Sequence, residues 1–380
     1  MKKLSILGST GSIGTQALNI ARRYKEHFRV TALAAHSNVE LLLAQCREFN
    51  PDLVAITDEK SYHTSKHLFS DWRVVSGKRA LEEAAVYQDV DTVVAAVVGC
   101  DGFSSVFEAV KCGKTIALAN KESLVAGGKI ITQLAKNTGA AIIPVDSEHS
   151  AVWQCLQGKD ARKHLRRIIL TASGGAFYGR TRDELSKVTK EEATRHPNWS
   201  MGKKITVDSS TMMNKGLEII EARWLFDTVD IDYIIHRESV VHSMVEFTDG
   251  TVLAQLSYPS MEYPIQLALT YPERLSTENP PYAFDKPLTF LTPDERTFIL
   301  PRLAREALTV HEGAPLVLNA ANEAAVSLFL NNRIAFTHIF DIAQNVMQTA
   351  EFPNIDGKET IVAAHNLWYQ RVLKDFNRFL

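Results

Sequence analysis

Cysteine is scarce in this chain: Cys46, Cys100, Cys112 and Cys155 are scattered over 380 residues and form no C-x-x-C pair. That pattern excludes a disulfide framework and a cysteine-built zinc cluster, and it fits a reducing compartment. Long apolar runs are missing as well. The best, TVVAAVV at 92–98, falls far short of the ~20 residues a membrane helix needs. The apolar run after the opening MKK stops at Gly8, too early for the core of a signal peptide. Charge of one sign is also lacking, since the formal net charge is -2, which gives no field for nucleic acid or an anionic membrane. One basic stretch, KDARKHLRRI from Lys159, has no interleaved aromatics on which bases could stack and reads as a solvated face. The expectation is a soluble cytoplasmic protein with neither a nucleic-acid nor a membrane partner.

What is present is ordinary globular composition, 45% apolar and 23% charged, in a chain too long for one hydrophobic core. Up to about residue 150, short β-branched runs alternate with helical patterns: KLSILG then TQALNIARRY, FRVTALAA then NVELLLAQCREF, then DLVAIT, WRVVSG, DTVVAAVVG, SVFEAVKCG, KTIALA and AAIIPV. Such alternation predicts βαβ units and a parallel sheet. Beyond Ser150, RRIILTASGG, DYIIHRESVVHSMVEF and TVLAQLSY read as longer strands, the last two flanking the hairpin signal Asp249-Gly250, so antiparallel pairing is expected. Five of the 13 prolines then crowd into 272–293, a surface linker by composition. After it, Ile361, Ala364, Trp368, Val372 and Phe376 mark an apolar helix face, and NAANEAAVSLFL from Asn319 reads as another helix with a polar start. The predicted fold is α/β: an N-terminal Rossmann-like parallel sheet (1–146), a central α+β catalytic and dimerisation domain with antiparallel strands (147–271), a linker (272–298) and a C-terminal helical bundle (299–380).

Between the first strand and the first helix, LGSTGSIG places Gly8, Gly11 and Gly14 where small residues let backbone amides approach a pyrophosphate. The spacing is G-x-x-G-x-x-G; such a turn can be purely structural, and its place at the first βα junction is what favours a dinucleotide. The tip of the second strand, AAHSN at 34–38, carries no acid for a ribose diol, so His36, Ser37 and Asn38 point to the 2′-phosphate of NADP. Ser37 and Glu40 also fit a capping box for the following helix. Two other matches are coincidental. Tyr62 and Lys66 lie too close to the cofactor tip to be a short-chain dehydrogenase pair, and GKT at 113–115 precedes a strand instead of opening a helix.

The richest segment is HPNWSMGKKITVDSSTMMNKGLEIIEARWLF, residues 196–226. Ser209, Ser210 and Thr211 are N-cap types ahead of a helix with Met213, Leu217, Ile220 and Trp224 on its buried face. Asn214, Lys215 and Glu218 emerge together on the other face. An isolated helix of this kind would be a solvated face with a Lys-Glu pair, whereas serines, amides, Asn214 and Lys215 together make a phosphate cradle, to which TASGG at 171–175 could add a hydroxyl. Trp199, among polar neighbours in the long segment 176–204, reads as part of a lid. In AAIIPVDSEH an apolar strand ends in two acids, and an extended chain puts Asp146 and Glu148 on one face. No His or Cys pair has transition-metal spacing. Asp146, Glu148 and Glu218 offer oxygen ligands, which favour Mg²⁺ or Mn²⁺ over zinc.

Taken in order, GSTGSIG, ALANKES, PVDSEH, TASGG, HPNWSMG, VDSSTMMNKGLE, VVHSMV and NAANE resemble the signatures of the 1-deoxy-D-xylulose 5-phosphate reductoisomerase family along nearly the whole chain. The resemblance implies conversion of 1-deoxy-D-xylulose 5-phosphate to 2-C-methyl-D-erythritol 4-phosphate in non-mevalonate isoprenoid synthesis. It implies NADPH and a divalent cation (Mg²⁺ or Mn²⁺, with Co²⁺ as a further option), a homodimer, and inhibition by phosphonohydroxamates such as fosmidomycin. It assigns the metal to Asp146, Glu148 and Glu218, and the substrate to Lys121, Ser147, Glu148, Ser173, His196, Trp199, Ser209, Asn214, Lys215 and Glu218. Catalytic roles fall on Lys121, Glu148, His196 and His242. The cofactor falls to Thr10, Gly11, Ser12, Ile13, Asn120, Glu122 and Gly202, with Met201 and Met261 near the nicotinamide or substrate. Two positions depart from the family pattern: HRES at 236–239 stands where the family has HPQS, and Ser37 where members can carry a lysine. Two other readings stay open at this point, another NADP-dependent dehydrogenase of a phosphorylated substrate and a dinucleotide-binding regulator without turnover.

Overall fold

The alternating N-terminal pattern folds as expected. In the computed structural model, which describes residues 1–77, 79–196 and 202–380, seven strands form one parallel sheet: β1 (Lys2–Leu7), β2 (Phe28–Ala35), β3 (Leu53–Ile56), β4 (Arg73–Ser76), β5 (Thr92–Ala95), β6 (Thr115–Leu118) and β7 (Ile142–Pro144). Their order is β4-β3-β2-β1-β5-β6-β7. The chain runs outward from β1 to β4 and returns to β5 beside β1, so strand order reverses between β1 and β5. A crevice at such a reversal is where open α/β sheets bind nucleotides. Every residue of β3 and β5 is buried, as a sheet covered by helices on both faces requires.

The chain folds into two compact units, the first being Met1–Ser123, Lys129–Ser150 and Ser260–Asn279. The last of these segments holds a helix, Glu262–Thr270, that joins the parallel sheet despite its distance in sequence. Arg23 pairs with Glu262, and the Lys2 ammonium donates to the Leu269 and Tyr271 carbonyls at 3.0 and 2.8 Å.

The second unit comprises Leu124–Gly128, Ala151–Pro259 and Pro280–Leu380. Its sheet contains β8 (Leu165–Ala172), β9 (Ile231–Ile235), β10 (Val241–Phe247) and β11 (Val252–Leu256) in the order β11-β10-β8-β9. The hairpin at Asp249-Gly250 pairs β10 with β11 antiparallel, and β8 runs antiparallel to β10. DYIIHRESVVHSMVEF is two strands, not one. It breaks at 236–240, where Ser239 has φ 53°, and β9 crosses to pair with β8 in parallel. The basic run from Lys159 is partly neutralised, with Arg166 and Arg167 paired to Glu246. Within the linker, Leu291 makes a bridge to Ile235.

The C-terminal helices are Leu300–Val310, Ala314–Leu330, His338–Thr349 and Lys358–Asp375. Ile361, Ala364, Trp368 and Val372 are buried as predicted, whereas Phe376 opens a 3₁₀ turn after the helix ends. NAANE does not start a helix. Asn319 and Asn322 lie inside Ala314–Leu330 and are fully buried, the amide of Asn322 donating to Asp208 at 2.8 Å. Parallel Rossmann-like sheet, mixed sheet and helical bundle together give the predicted fold class. Among the described residues, no helix is long and apolar enough to cross a membrane.

Candidate active site

In the first unit, the expected cofactor, lysine and acid residues gather at the C-terminal ends of β1, β2, β6 and β7. After β1, Gly8 takes φ +83°, and a Cβ there would lie 2.7 Å from the Ala96 carbonyl oxygen. A Cβ on Gly14 would meet Ser9 Cα at 2.6 Å, so only glycine lets the helix Ser12–Arg23 pack this close to the strand end. That helix has Gly11 at its N-cap, no side-chain cap and no acid in its first turn. Thr10, Gly11, Ser12 and Ile13 therefore present a helix N-terminus with partial positive charge, suited to an anion. After β2, His36, Ser37 and Asn38 are exposed, and His36 Nδ1 lies 2.8 Å from Thr57 Oγ1. The cap of the following helix is Asn38, whose side chain accepts from the Leu41 amide at 3.3 Å. Ser37 therefore does not cap this helix, contrary to the capping-box expectation.

The end of β6 is fixed by Asn120, whose amide donates to the Val97 and Gly99 carbonyls at 2.6 and 2.8 Å and whose oxygen accepts from Ser123. This aims the start of helix Lys121–Thr138, where Lys121 and Glu122 are both buried. Lys121 forms an ion pair with Asp146 after β7. The two acids there are not related by strand alternation. β7 stops at Pro144, and a helix begins at Ser147 with the Asp146 carbonyl accepting the Ser150 amide at 2.8 Å. Glu148 thus sits in a first helical turn, where the helix dipole favours a carboxylate, and accepts from the Ser147 hydroxyl. Sequence reasoning gave His149 no role. It is fully buried with Nδ1 3.8 Å from Asp146 Oδ2, and its i,i+3 spacing from Asp146 was the available signal. Met261 precedes the helix Glu262–Thr270.

In the second unit, β8 ends at the TASGG loop. Gly174 and Gly175 have φ +79° and +67°, and a Cβ on Gly175 would lie 3.2 Å from Ser210 Cα. This draws the Ser173 loop against the end of the helix Lys203–Ser210 that carries Ser209. Ser173 Oγ lies 3.2 Å from His196 Nε2 and 3.2 Å from the donating Gly175 amide. Gly202 is the N-cap of Lys203–Ser210. Ser209 and Ser210 therefore end one helix and do not cap the next, which starts at Met213 after a left-handed Met212 (φ 63°). Trp199 and Met201 lie outside the described residues.

The helix Met213–Phe226 also departs from a simple two-faced pattern. Met213, Leu217 and Ile220 are buried as expected, but so are Lys215, Glu218 and Glu221, which rules out a solvated polar face. Both Asn214 and Lys215 donate to Glu218. Trp224 is half-buried, and its indole fills the space a Gly128 side chain would need. His242, on β10, is buried with Nε2 2.9 Å from Ser257 Oγ. A buried ammonium or carboxylate costs several kcal/mol unless paired.

A glycine turn at the strand-order reversal of a parallel sheet is the arrangement of the Rossmann-like class of dinucleotide-binding proteins. Residues 4–128 match the family described as 1-deoxy-D-xylulose 5-phosphate reductoisomerase, residues 142–226 its C-terminal domain, and residues 256–370 a further DXP reductoisomerase C-terminal domain. The chain belongs to this family. A 1-deoxy-D-xylulose 5-phosphate reductoisomerase of Geobacillus sp. (strain WCH70) is 49% identical over 95% of this chain and 96% of its own. That of Thermodesulfovibrio yellowstonii is 44% identical over 98% and 99%. Among solved structures, a DOX-P reductoisomerase in complex with NADPH, fosmidomycin and magnesium superposes with TM-score 0.92 at 39% identity, covering 99% of this chain and 100% of that one. The Zymomonas mobilis enzyme in complex with NADPH gives 0.91 at 37% identity, covering 98% of each.

Proposed function

We propose that this chain performs its family's reaction through the residues described above. It is an NADP-dependent oxidoreductase that converts 1-deoxy-D-xylulose 5-phosphate to 2-C-methyl-D-erythritol 4-phosphate, using NADPH and a divalent cation, Mg²⁺ or Mn²⁺. The observation that carries this is the ordered match of all three family segments along one chain.

Thr10 to Ile13 hold the pyrophosphate at the helix N-terminus, with His36, Ser37 and Asn38 at the 2′-phosphate. Asn120, Glu122 and Gly202 complete the cofactor contacts. Ser173, Ser209, Asn214 and Lys215 hold the substrate phosphate, far from the reacting carbons, where binding energy can serve orientation. Asp146, Glu148 and Glu218 are hard oxygen donors of the kind Mg²⁺ and Mn²⁺ prefer, and Asp146 and Glu218 are ion-paired with the ammonium groups of Lys121 and Lys215. When bound, the cation polarises the substrate carbonyl for skeletal rearrangement, and NADPH supplies the hydride. Lys121 brings positive charge to the reacting hydroxyls, Ser147 holds the substrate backbone, and His242, set by Ser257, positions it. His196 and Trp199 belong to the segment that excludes water. The working division is a cofactor domain at 1–146, a catalytic and dimerisation domain at 147–271, a linker at 272–298 and a helical domain at 299–380, in a cytoplasmic homodimer.

Protein, NADPH, Mg²⁺ and 1-deoxy-D-xylulose 5-phosphate are mixed, loss of NADPH absorbance is followed, and the product is identified by NMR. A branched polyol phosphate is expected. A linear reduced product would favour a simple dehydrogenase, and no cofactor oxidation by folded protein would overturn the assignment.

A further inference from the structure

We propose that Arg237 is a positioning residue that fixes the Ser173 loop for the substrate phosphate, a role that rests on assigning this loop to the phosphate. Arg237 stands at the second position of HRES, where the family pattern has proline. Its Nη1 donates to the Ser173 carbonyl at 2.8 Å and the Gly175 carbonyl at 3.1 Å. The guanidinium also lies 5.3 Å from the centroid of the Tyr178 ring, the ring a Gly174 side chain would strike at 2.9 Å.

The loop needs such a clamp. Two consecutive glycines in left-handed conformation have wide freedom when unrestrained. In a trans peptide the N–H points opposite its carbonyl. Holding the Ser173 and Gly175 carbonyls therefore turns the Gly174 and Ala176 N–H groups away from the guanidinium, and the Gly175 N–H is already spent on the Ser173 hydroxyl. The arginine thus sets the peptide planes on either side of the Gly174-Gly175 pair and places a full positive charge behind them.

The turn that carries Arg237 is itself rigid. His236 Nε2 accepts from the Val240 and Val241 amides at 3.1 Å each, so the ring proton is on Nδ1, which donates to the Thr289 carbonyl at 2.8 Å. Glu238 accepts from Thr289 Oγ1 at 2.6 Å. A planar guanidinium held by a locked turn and lying over the Tyr178 ring can order the loop with little loss of its own freedom, which a flexible ammonium cannot match.

The test compares Arg237→Met, Arg237→Lys and Ser173→Ala by KM for 1-deoxy-D-xylulose 5-phosphate, kcat, and the Kd of fosmidomycin and of NADPH. Arg237→Met is expected to raise KM and the fosmidomycin Kd about 10-fold, since charged hydrogen bonds are lost. The kcat should stay within about 3-fold and the NADPH Kd within about 2-fold. Arg237→Lys should fall between, at about 3-fold in KM. If Ser173→Ala raises KM and Arg237→Met leaves it unchanged, the clamp is wrong while the phosphate assignment stands. An unchanged KM in Ser173→Ala would overturn the assignment and the clamp with it. Should Arg237→Met fail to fold, Arg237→Lys decides: an unaltered KM overturns the proposal.

Discussion

The turn after β1 and the helix Met213–Phe226 are built from opposite materials. The turn depends on side chains being absent: Gly8 and Gly14 lie against main-chain atoms that any Cβ would strike, and no side chain caps the helix N-terminus. The helix depends on side chains that globular interiors avoid, with Lys215, Glu218 and Glu221 all buried within two turns. A main-chain site is damaged first by added volume, whereas a buried-charge site tolerates volume poorly and a change of charge least of all. On the proposed assignment, the cofactor and the substrate with its metal are held by machinery that different kinds of substitution can separate.

The largest effect is expected at Glu218. Glu218→Gln should lower kcat by about 10³-fold or more, because the proposed metal ligand and the partner of Lys215 are removed together, while the NADPH Kd stays within a few-fold. Steady-state kinetics with a fluorescence titration of NADPH check this, and equal loss of both would make Glu218 a structural residue. Gly14→Ala attacks the other side of the comparison. Its Cβ would meet main-chain atoms of Ser9 at 2.6 and 2.8 Å, so a backbone shift is unavoidable. We expect NADPH affinity to fall about 30-fold, with roughly 1–3 kcal/mol lost in stability, measured by calorimetric titration and urea unfolding.

A smaller effect is expected in the helical bundle. Burial pushes the Glu323 carboxyl up, but His365, Lys204 and Asn319 outweigh it, and the acid titrates below its ordinary 4.5. A lowered carboxylate contributes stability that is fully present above the unfolded value and is lost as pH falls through the folded one. Glu323→Gln should therefore lower stability at neutral pH by about 1–2 kcal/mol and flatten its decline below pH 4.5. Unfolding midpoints across an acid series measure this, and an unchanged acid limb would assign the decline to other carboxylates.

How much the sequence disclosed follows the same division. The parallel sheet was legible because its strands are short β-branched runs between periodic helices, and the glycine turn because only a main-chain site needs three small residues there. The acids of PVDSEH were found for a wrong geometric reason. Pro144 ends the strand, and the helix dipole at Ser147 recruits Glu148, so period-two alternation does not apply. Ser209 and Ser210 looked like caps because hydroxyl residues precede an apolar helix, but the left-handed Met212 that separates two helices has no compositional sign. Neither does the burial of Asn322, whose partner Asp208 is remote in sequence. Arg237 was visible as an anomaly in HRES, and only the fold shows which carbonyls it holds.

Main chain holding the cofactor, and buried charge holding substrate and metal, is tested most directly by titrating Gly14→Ala and Glu218→Gln each with NADPH and with fosmidomycin plus Mg²⁺. The prediction is a crossed result: the glycine variant loses NADPH affinity and retains the inhibitor within a few-fold, and the glutamine variant does the reverse. Parallel loss of both ligands in either variant would contradict it.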